Sequence, residues 1–311
     1  MRKCRIVFMG TPAIACGMLD VLKDMEYDIV AVVTQPDKPQ GRKKILQETP
    51  IKKRAKQYNL DVLSLVNIKD EFEEVIKYDP ELIITCAYGQ IIPKKLLEYP
   101  KYGCINLHAS LLPKYRGGAP IHTAIINGEK QSGMTLMRME EKMDAGAILA
   151  QEVVEIDIKD TTSILFDKLE SAGKKLLVEK LELFLSGELK EIKQDEALVT
   201  FARNITKEQE FVSFNRDVID VYNHIRGLIS YPIGYGIIKN IKIKLHEVDY
   251  IVKEHNQPFG KLVSLDNDNL VIAAKKGFIL ISKLQQEGKK IISAKEYYNG
   301  AGKSLIGECF K

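Results

Sequence analysis

The stretch Gly103-Cys-Ile-Asn-Leu-His-Ala-Ser-Leu-Leu-Pro-Lys-Tyr-Arg-Gly-Gly-Ala-Pro120 changes character halfway along. Cys104 to Leu107 are apolar or β-forming apart from Asn106, which predicts a short buried strand. Asn106 and His108 stand two apart, so on a strand their side chains share one face. Pro113, Gly117, Gly118 and Pro120 then interrupt any regular element and impose an irregular loop over that edge. An amide and an imidazole at the carboxyl end of a strand, beneath a Gly/Pro-rich loop, form the arrangement with which open α/β sheets bind and react. This strand end is the candidate active site.

Outward from it, strands and helices alternate. Arg5 to Met9 predicts a first strand, Gly10-Thr-Pro12 a turn, and a helix follows to about Met25. Strands are expected over Asp28 to Val33, Asp61 to Leu65 and Leu82 to Ala87, with helices over Pro50 to Tyr58 and Asp70 to Lys77 and from Pro93. Beyond the central stretch come a helix (Ala119 to Asn127), two strands (Gly133 to Met139, Ile148 to Ile156) and a long helix (Ser163 to Leu185). This alternation predicts an α/β fold, a Rossmann-like doubly wound, mostly parallel sheet, over residues 1–189. The first turn reads Gly-Thr-Pro, not Gly-x-Gly-x-x-Gly, which argues against a nicotinamide dinucleotide site. Residues 190–205 are polar and irregular and read as a linker. Over 206–311 a helix (Arg216 to Leu228) precedes short strand-like runs separated by turn signals such as Asp266-Asn-Asp-Asn269, which predicts a small C-terminal β-barrel, OB-like.

The 311 residues are 45% hydrophobic and 28% charged, the profile of a globular protein with one or two cores. The apolar run near the start, Ile6 to Met9, is too short for a signal peptide or a membrane span, so a cytoplasmic chain with no membrane contact is expected. Five scattered cysteines without Cys-x-x-Cys spacing read as free thiols, and no cluster has metal-ligand spacing, so no metal is expected. The net charge of +4 lies wholly in the C-terminal third: basic and acidic residues balance 30 against 30 up to Ile205 and stand at 16 against 12 beyond it. Lys38 to Lys56 carries eight basic residues and the single acid Glu48, within and after a long loop over Thr34 to Gln47. A polyanionic partner fits that pattern.

Chemically, an amide beside an imidazole suits stabilisation of a developing oxyanion, with the histidine able to move a proton. A carboxylate that orients the imidazole is best sought in Asp144, in the polar loop Glu140 to Gly146. No serine or cysteine stands in a nucleophile elbow, so no acyl-enzyme is indicated. On spacing alone His108 also reads as a buried structural histidine and Asp144 as a turn residue. The residues themselves lead to a carbonyl-directed transferase or hydrolase.

Ile105-Asn-Leu-His-Ala-Ser-Leu-Leu-Pro-Lys-Tyr-Arg-Gly-Gly-Ala-Pro120 resembles the signature of the formyltetrahydrofolate-dependent formyltransferases. Met143-Asp-Ala-Gly146, Ala87-Tyr-Gly-Gln-Ile-Ile-Pro93 and Thr34-Gln-Pro-Asp-Lys-Pro39 with Gly41-Arg42 resemble further segments of it, and the similarity runs over essentially the whole chain. The resemblance implies a catalytic trio of Asn106, His108 and Asp144. It also implies a folate-holding segment Ser110, Leu111, Leu112 and Pro113, and 10-formyltetrahydrofolate as formyl donor without a metal. A single-domain purine-pathway branch lacks both the basic loop and the C-terminal barrel. Their presence implies the branch that formylates the methionyl end of initiator tRNA for translation initiation, with Lys38, Arg42, Lys43 and Lys44 contacting tRNA and the barrel supporting the acceptor stem. A monomer is expected. A formyltetrahydrofolate hydrolase or a sugar-nucleotide formyltransferase is the alternative. The chain departs from the pattern where Lys43 follows Arg42, where Ser230-Tyr-Pro232 replaces a Trp-containing segment, and at Glu210-Phe-Val-Ser-Phe214; it has no Trp.

Overall fold

The computed structural model describes residues 4–40 and 45–311. Arg42, Lys43 and Lys44 therefore lie outside the described residues. The chain packs as two compact units, one of residues 1–120, 131–155 and 166–203, the other of 121–130, 156–165 and 204–311.

The first unit is built on β1 (Arg5–Gly10), α1 (Ala13–Asp24) and β2 (Asp28–Thr34), followed by a short ribbon of β3 (Lys38–Gln40) and β4 (Ile45–Gln47). Next come α2 (Pro50–Gln57), β5 (Val62–Ser64), α3 (Ile68–Ile76), β6 (Leu82–Cys86), α4 (Lys94–Leu97) and β7 (Cys104–His108). Past α5 (Pro120–Ile126), which belongs almost wholly to the other unit, strands β8 (Gln131–Arg138) and β9 (Ile148–Glu155) and helix α6 (Thr162–Leu185), from residue 166 onward, complete the run. Seven strands pair in the order β5-β2-β1-β6-β7-β8-β9. The pairs from β5 to β7 are parallel, and β7–β8 and β8–β9 are antiparallel.

The sheet forms because its parallel strands are apolar on both faces. Ile6, Val7, Phe8 and Met9 are all fully buried. Val7, Met9, Ala31, Val33 and Ile83 join Ile68 and Val75 of α3 and Leu96 of α4 in one core. β1 has β2 on one side and β6 on the other. The strand order thus reverses at β1, and the crevice at the carboxyl ends of β1 and β6 is a topological switch point. Side chains lace the loops there: Thr11 Oγ1 donates to Tyr88 O at 2.9 Å and Gln35 Nε2 to Gly89 O at 3.1 Å.

The long loop expected over Thr34 to Gln47 is in part ordered: β3 and β4 pair antiparallel, Lys38 opposite Gln47. The charge count over Lys38 to Lys56 also needs correction in space. Lys52 pairs with Asp37 at 2.7 Å, Lys56 with Glu48 and Arg54 with Asp20. Folding brings in Asp20 and Asp37, which the sequence window omits, so three of its cations sit against carboxylates.

The second unit carries α7 (Val218–Arg226), β10 (Tyr235–Ile238), β11 (Ile241–Val252), β12 (Leu262–Asp266), β13 (Asn269–Ala274), β14 (Gly277–Gln286), β15 (Ile292–Ser293) and α8 (Ala294–Asn299). Its strands pair antiparallel in the order β10-β11-β14-β13-β12. Residues 308–311 then join the two edges. Phe310 bridges Ile238 at the end of β10, and Cys309 bridges Lys261 beside β12. The backbone N–H of Lys311 donates to Ile237 O and that of Phe310 to Gly260 O, both at 2.8 Å. Joining edges in this way removes the unpaired backbone that open sheets expose. Val221, Ile225, Leu245, Ile272, Ile281 and Phe310 fill the interior. α8 opens on a capping box in which Ser293 and Glu296 satisfy each other's backbone N–H groups. Ser293→Ala is expected to lower stability by about 1 kcal/mol, read as a shift in the urea midpoint at unchanged slope.

Candidate active site

β6 and β7 are parallel neighbours in register, with Thr85 beside Asn106. The Thr85 hydroxyl donates to Asn106 Oδ1 at 2.6 Å. A hydroxyl on the carbonyl side of the amide fixes which way the amide faces, and Nδ2 is left as the donor for a ligand.

His108 closes the same strand and is 6% exposed. Its Nε2 lies 2.9 Å from Tyr115 O. A carbonyl can only accept, so Nε2 carries a proton and Nδ1 is the nitrogen available for chemistry. Nδ1 stands 3.7 Å from Asp144 Oδ1, within ion-pair range but beyond a direct hydrogen bond. The other carboxylate oxygen, Oδ2, accepts the Gly117 N–H at 2.8 Å. The structure therefore brings Asn106, His108 and Asp144 together from residues 106 to 144 of the chain.

The loop backbone explains the residue types. Asp144 sits at φ 53°, a left-handed conformation that short polar residues tolerate. At Gly146, two residues on, a Cβ would lie 2.1 Å from Arg138 O. Gly117 has φ 123°, and a Cβ there would meet Ala202 O at 2.6 Å. Only glycine allows the N–H of residue 117 to face Asp144 while the chain passes this close to residue 202.

Of residues 190–205, expected to be a linker, 190–203 pack as part of this unit. Arg116 N donates to Thr200 O at 2.9 Å, Ala202 N to Arg116 O at 2.8 Å, and Tyr115 N to Thr200 Oγ1 at 2.9 Å. Arg116 is 1% exposed and pairs through Nη2 with Glu196 at 2.8 Å. Hydrogen bonds from Arg116 and from Lys142 hold the Glu196 carboxyl down to about 2, so it stays anionic across the neutral range. Arg116 is thus a brace for the loop.

The segment Ser110 to Pro113 is pinned from below. Leu112 N donates to Thr135 Oγ1, Thr135 Oγ1 donates to Ser110 O at 2.6 Å, and Gln151 Nε2 donates to Leu112 O at 3.0 Å. Ser110 turns its hydroxyl inward to Lys114 O, and Leu112 is buried with Met137 and Ile148. Leu111 is half-buried and lies over Gly133. Leu111 and the segment's backbone are what this stretch offers a ligand. Lys38 is exposed on β3.

Other candidates play no part in the site. Burial pushes the Cys86 and Cys104 thiols up to about 12, which keeps them protonated and unreactive. His122, in the second unit, donates from Nε2 to Tyr231 O at 3.0 Å, and burial lowers its pKa. Among the described residues, no three His, Cys, Asp or Glu side chains are placed to hold a metal ion, and no helix is long and apolar enough to cross a membrane. Sequence reasoning missed Thr85, whose only local signal is a hydroxyl near the end of the apolar run Leu82-Ile-Ile-Thr-Cys86.

Residues 4–181 match the formyl transferase family, and residues 204–302 match the formyl transferase C-terminal domain. The methionyl-tRNA formyltransferase of Bacillus cytotoxicus is 46% identical over 300 residues, covering 96% of each chain. Among solved structures, HypX from Aquifex aeolicus superposes with a TM-score of 0.70 at 19% identity, over 98% of this chain. The chain spans about half of HypX, 50% of its length. WlaRD, a sugar 3N-formyl transferase, superposes with a TM-score of 0.65 at 21% identity, over 93% of this chain and 100% of WlaRD. These two likenesses carry the fold alone. Matched along nearly its whole length by a curated relative at 46% identity, and by both formyl transferase domains in turn, the chain belongs to the methionyl-tRNA formyltransferases.

Proposed function

We propose that the chain transfers the formyl group of 10-formyltetrahydrofolate to the α-amino group of methionine esterified to initiator tRNA, by direct attack of the amine on the formyl carbon. The observation that carries this reading is the convergence of an amide donor and an imidazole–carboxylate pair at one strand end: Asn106, His108 and Asp144.

The neutral amine adds to the formyl carbon and its proton must leave. An α-amine titrates near ~7.7–8.0, so a useful neutral fraction exists at neutral pH. Asn106 Nδ2 and His108 Nδ1–H donate to the tetrahedral oxyanion, while Asp144 orients the imidazole. The bond from carbon to the folate N10 then breaks. N10 takes up the proton that the attacking nitrogen loses, relayed through His108. Ser110, Leu111, Leu112 and Pro113 hold the folate, Leu111 by apolar contact and the rest through a backbone made rigid by Thr135 and Gln151. Lys38, with Arg42, Lys43 and Lys44, meets the tRNA phosphates, and residues 206–311 serve as the tRNA-binding domain of a cytoplasmic monomer.

The deciding assay follows formyl transfer from 10-formyltetrahydrofolate to Met-charged initiator tRNA, Met-charged elongator tRNA and water. Formylation of the initiator, weakened at raised salt and by Arg42→Glu, is the expected result. Folate turnover without a tRNA product sinks the proposal and moves the chain to the hydrolase or small-molecule branch. Thr85→Val removes the hydroxyl that orients Asn106, and about a tenfold fall in kcat is expected, with both KM values held within a factor of two.

A further inference from the structure

We propose that Gln194 is a positioning residue, which sets the Asp144 carboxylate against His108 by clamping the turn that carries Asp144 onto the loop that follows β7. This rests on the function proposed above and adds a residue to its machinery.

The geometry is a four-way bridge. Gln194 Nε2 donates to Asp144 O and to Gly146 O, each at 2.8 Å. Gln194 Oε1 accepts from Arg116 Nε at 3.1 Å and from Arg116 Nη2 at 2.9 Å. Both amide hydrogens and both acceptor positions are therefore used, so the side chain has one orientation only. The bridge is dry: Gln194 is 4% exposed and Arg116 1%. An amide in such surroundings holds its partners firmly, because any displacement leaves buried polar groups unpaired.

The turn needs this support. Asp144 occupies a left-handed conformation, at φ 53°, in a stretch with no strand or helix to fix it. Its carboxylate is aimed through Gly117 N, one residue beyond Arg116. Gln194 binds both sides of that contact: the carbonyls of Asp144 and Gly146 on one side and the Arg116 guanidinium on the other. A shift of the turn changes the distance from Asp144 Oδ1 to His108 Nδ1, and misplacement of a reacting group by about 1 Å can cost ~10²-fold in rate. One side chain, Gln194, thus ties together the carbonyls on either side of Ala145.

The test is a double-mutant cycle on the full chain, read by formylation of Met-charged initiator tRNA. Gln194→Met keeps the volume and removes all four hydrogen bonds. It is expected to lower kcat about 10- to 100-fold with both KM values within a factor of two. In an Asp144→Asn background the same substitution is expected to change kcat by less than about threefold, since the group it positions has already been disabled. An equal loss in both backgrounds overturns the proposal. Gln194→Glu covers the case in which Gln194→Met does not fold. It keeps the Arg116 contact as an ion pair and replaces only the donor to the two carbonyls. Loss of kcat in a folded Gln194→Glu protein supports the role, and wild-type kcat overturns it. A wild-type chain that formylates no tRNA sinks the functional reading, whereas wild-type turnover with an additive cycle sinks only the role of Gln194.

Discussion

His108→Ala is expected to lower kcat/KM for tRNA formylation by about 10⁴-fold. The substitution removes an oxyanion donor, worth about 10²–10³, and the proton relay, worth a further ~10² or more. It also removes the hydrogen bond from Nε2 to Tyr115 O, and the stability lost with that bond imitates a chemical defect. His108→Gln separates the two effects. Its amide can still donate towards Tyr115 O, so the thermal midpoint should recover while the rate does not. A His108→Gln enzyme within tenfold of wild type would show that the imidazole only braces the loop.

Asn106→Ala is expected to cost ~10²–10³ in kcat, the usual consequence of deleting one donor to an oxyanion. Substrate affinity should barely move, because the Nδ2 contact strengthens only as charge develops on the formyl oxygen. The fold should tolerate the change: Asn106 is half-buried, and the Thr85 hydroxyl keeps Ile105 O within 3.4 Å as a second acceptor. Asn106→Asp is the sharper variant, since it keeps the size and presents a carboxylate to a developing anion. It should be slower than Asn106→Ala. An Asp variant faster than the Ala variant would remove Asn106 from the oxyanion site.

Much of this architecture is legible in the residues. The period-two spacing of Asn106 and His108 places both at the end of β7, and the apolar runs of β1, β2 and β6 predict a parallel sheet covered on both faces. The C-terminal antiparallel unit follows from short runs between Asn/Asp/Gly turns. Other features depend on register that no local pattern encodes. β11 runs to Val252 although its alternation breaks after Leu245, because the pairing with β14 shifts at Leu245/Glu247 and again at Glu247/Val248. The β3–β4 ribbon escapes notice because Pro36, Pro39 and a run of cations hide its pairing. Within the site, Asp144 is the best-placed loop carboxylate in sequence terms but also reads as a plain turn residue, and the family resemblance is what assigns it to the trio. Thr85 becomes visible only once β6 lies beside β7. Residues 190–203 carry no periodicity at all, and their role comes from the loop they lie against.

That segment also bears on how the enzyme is made. Translation delivers all seven strands of the larger sheet before it delivers Gln194, Glu196, Thr200 and Ala202. A nascent chain can therefore hold a finished sheet and still lack a working centre, and competence arrives only when residues 190–203 clear the ribosome and dock. A ribosome stalled at residue 189 would release a product that carries all seven strands of the larger sheet. In that product Arg116 lacks its carboxylate and amide partners, and nothing clamps the turn of Asp144. Such a product is expected to resemble the mature unit by its circular dichroism and to be inert in turnover, so recovered secondary structure is no measure of recovered activity for truncated forms of this chain.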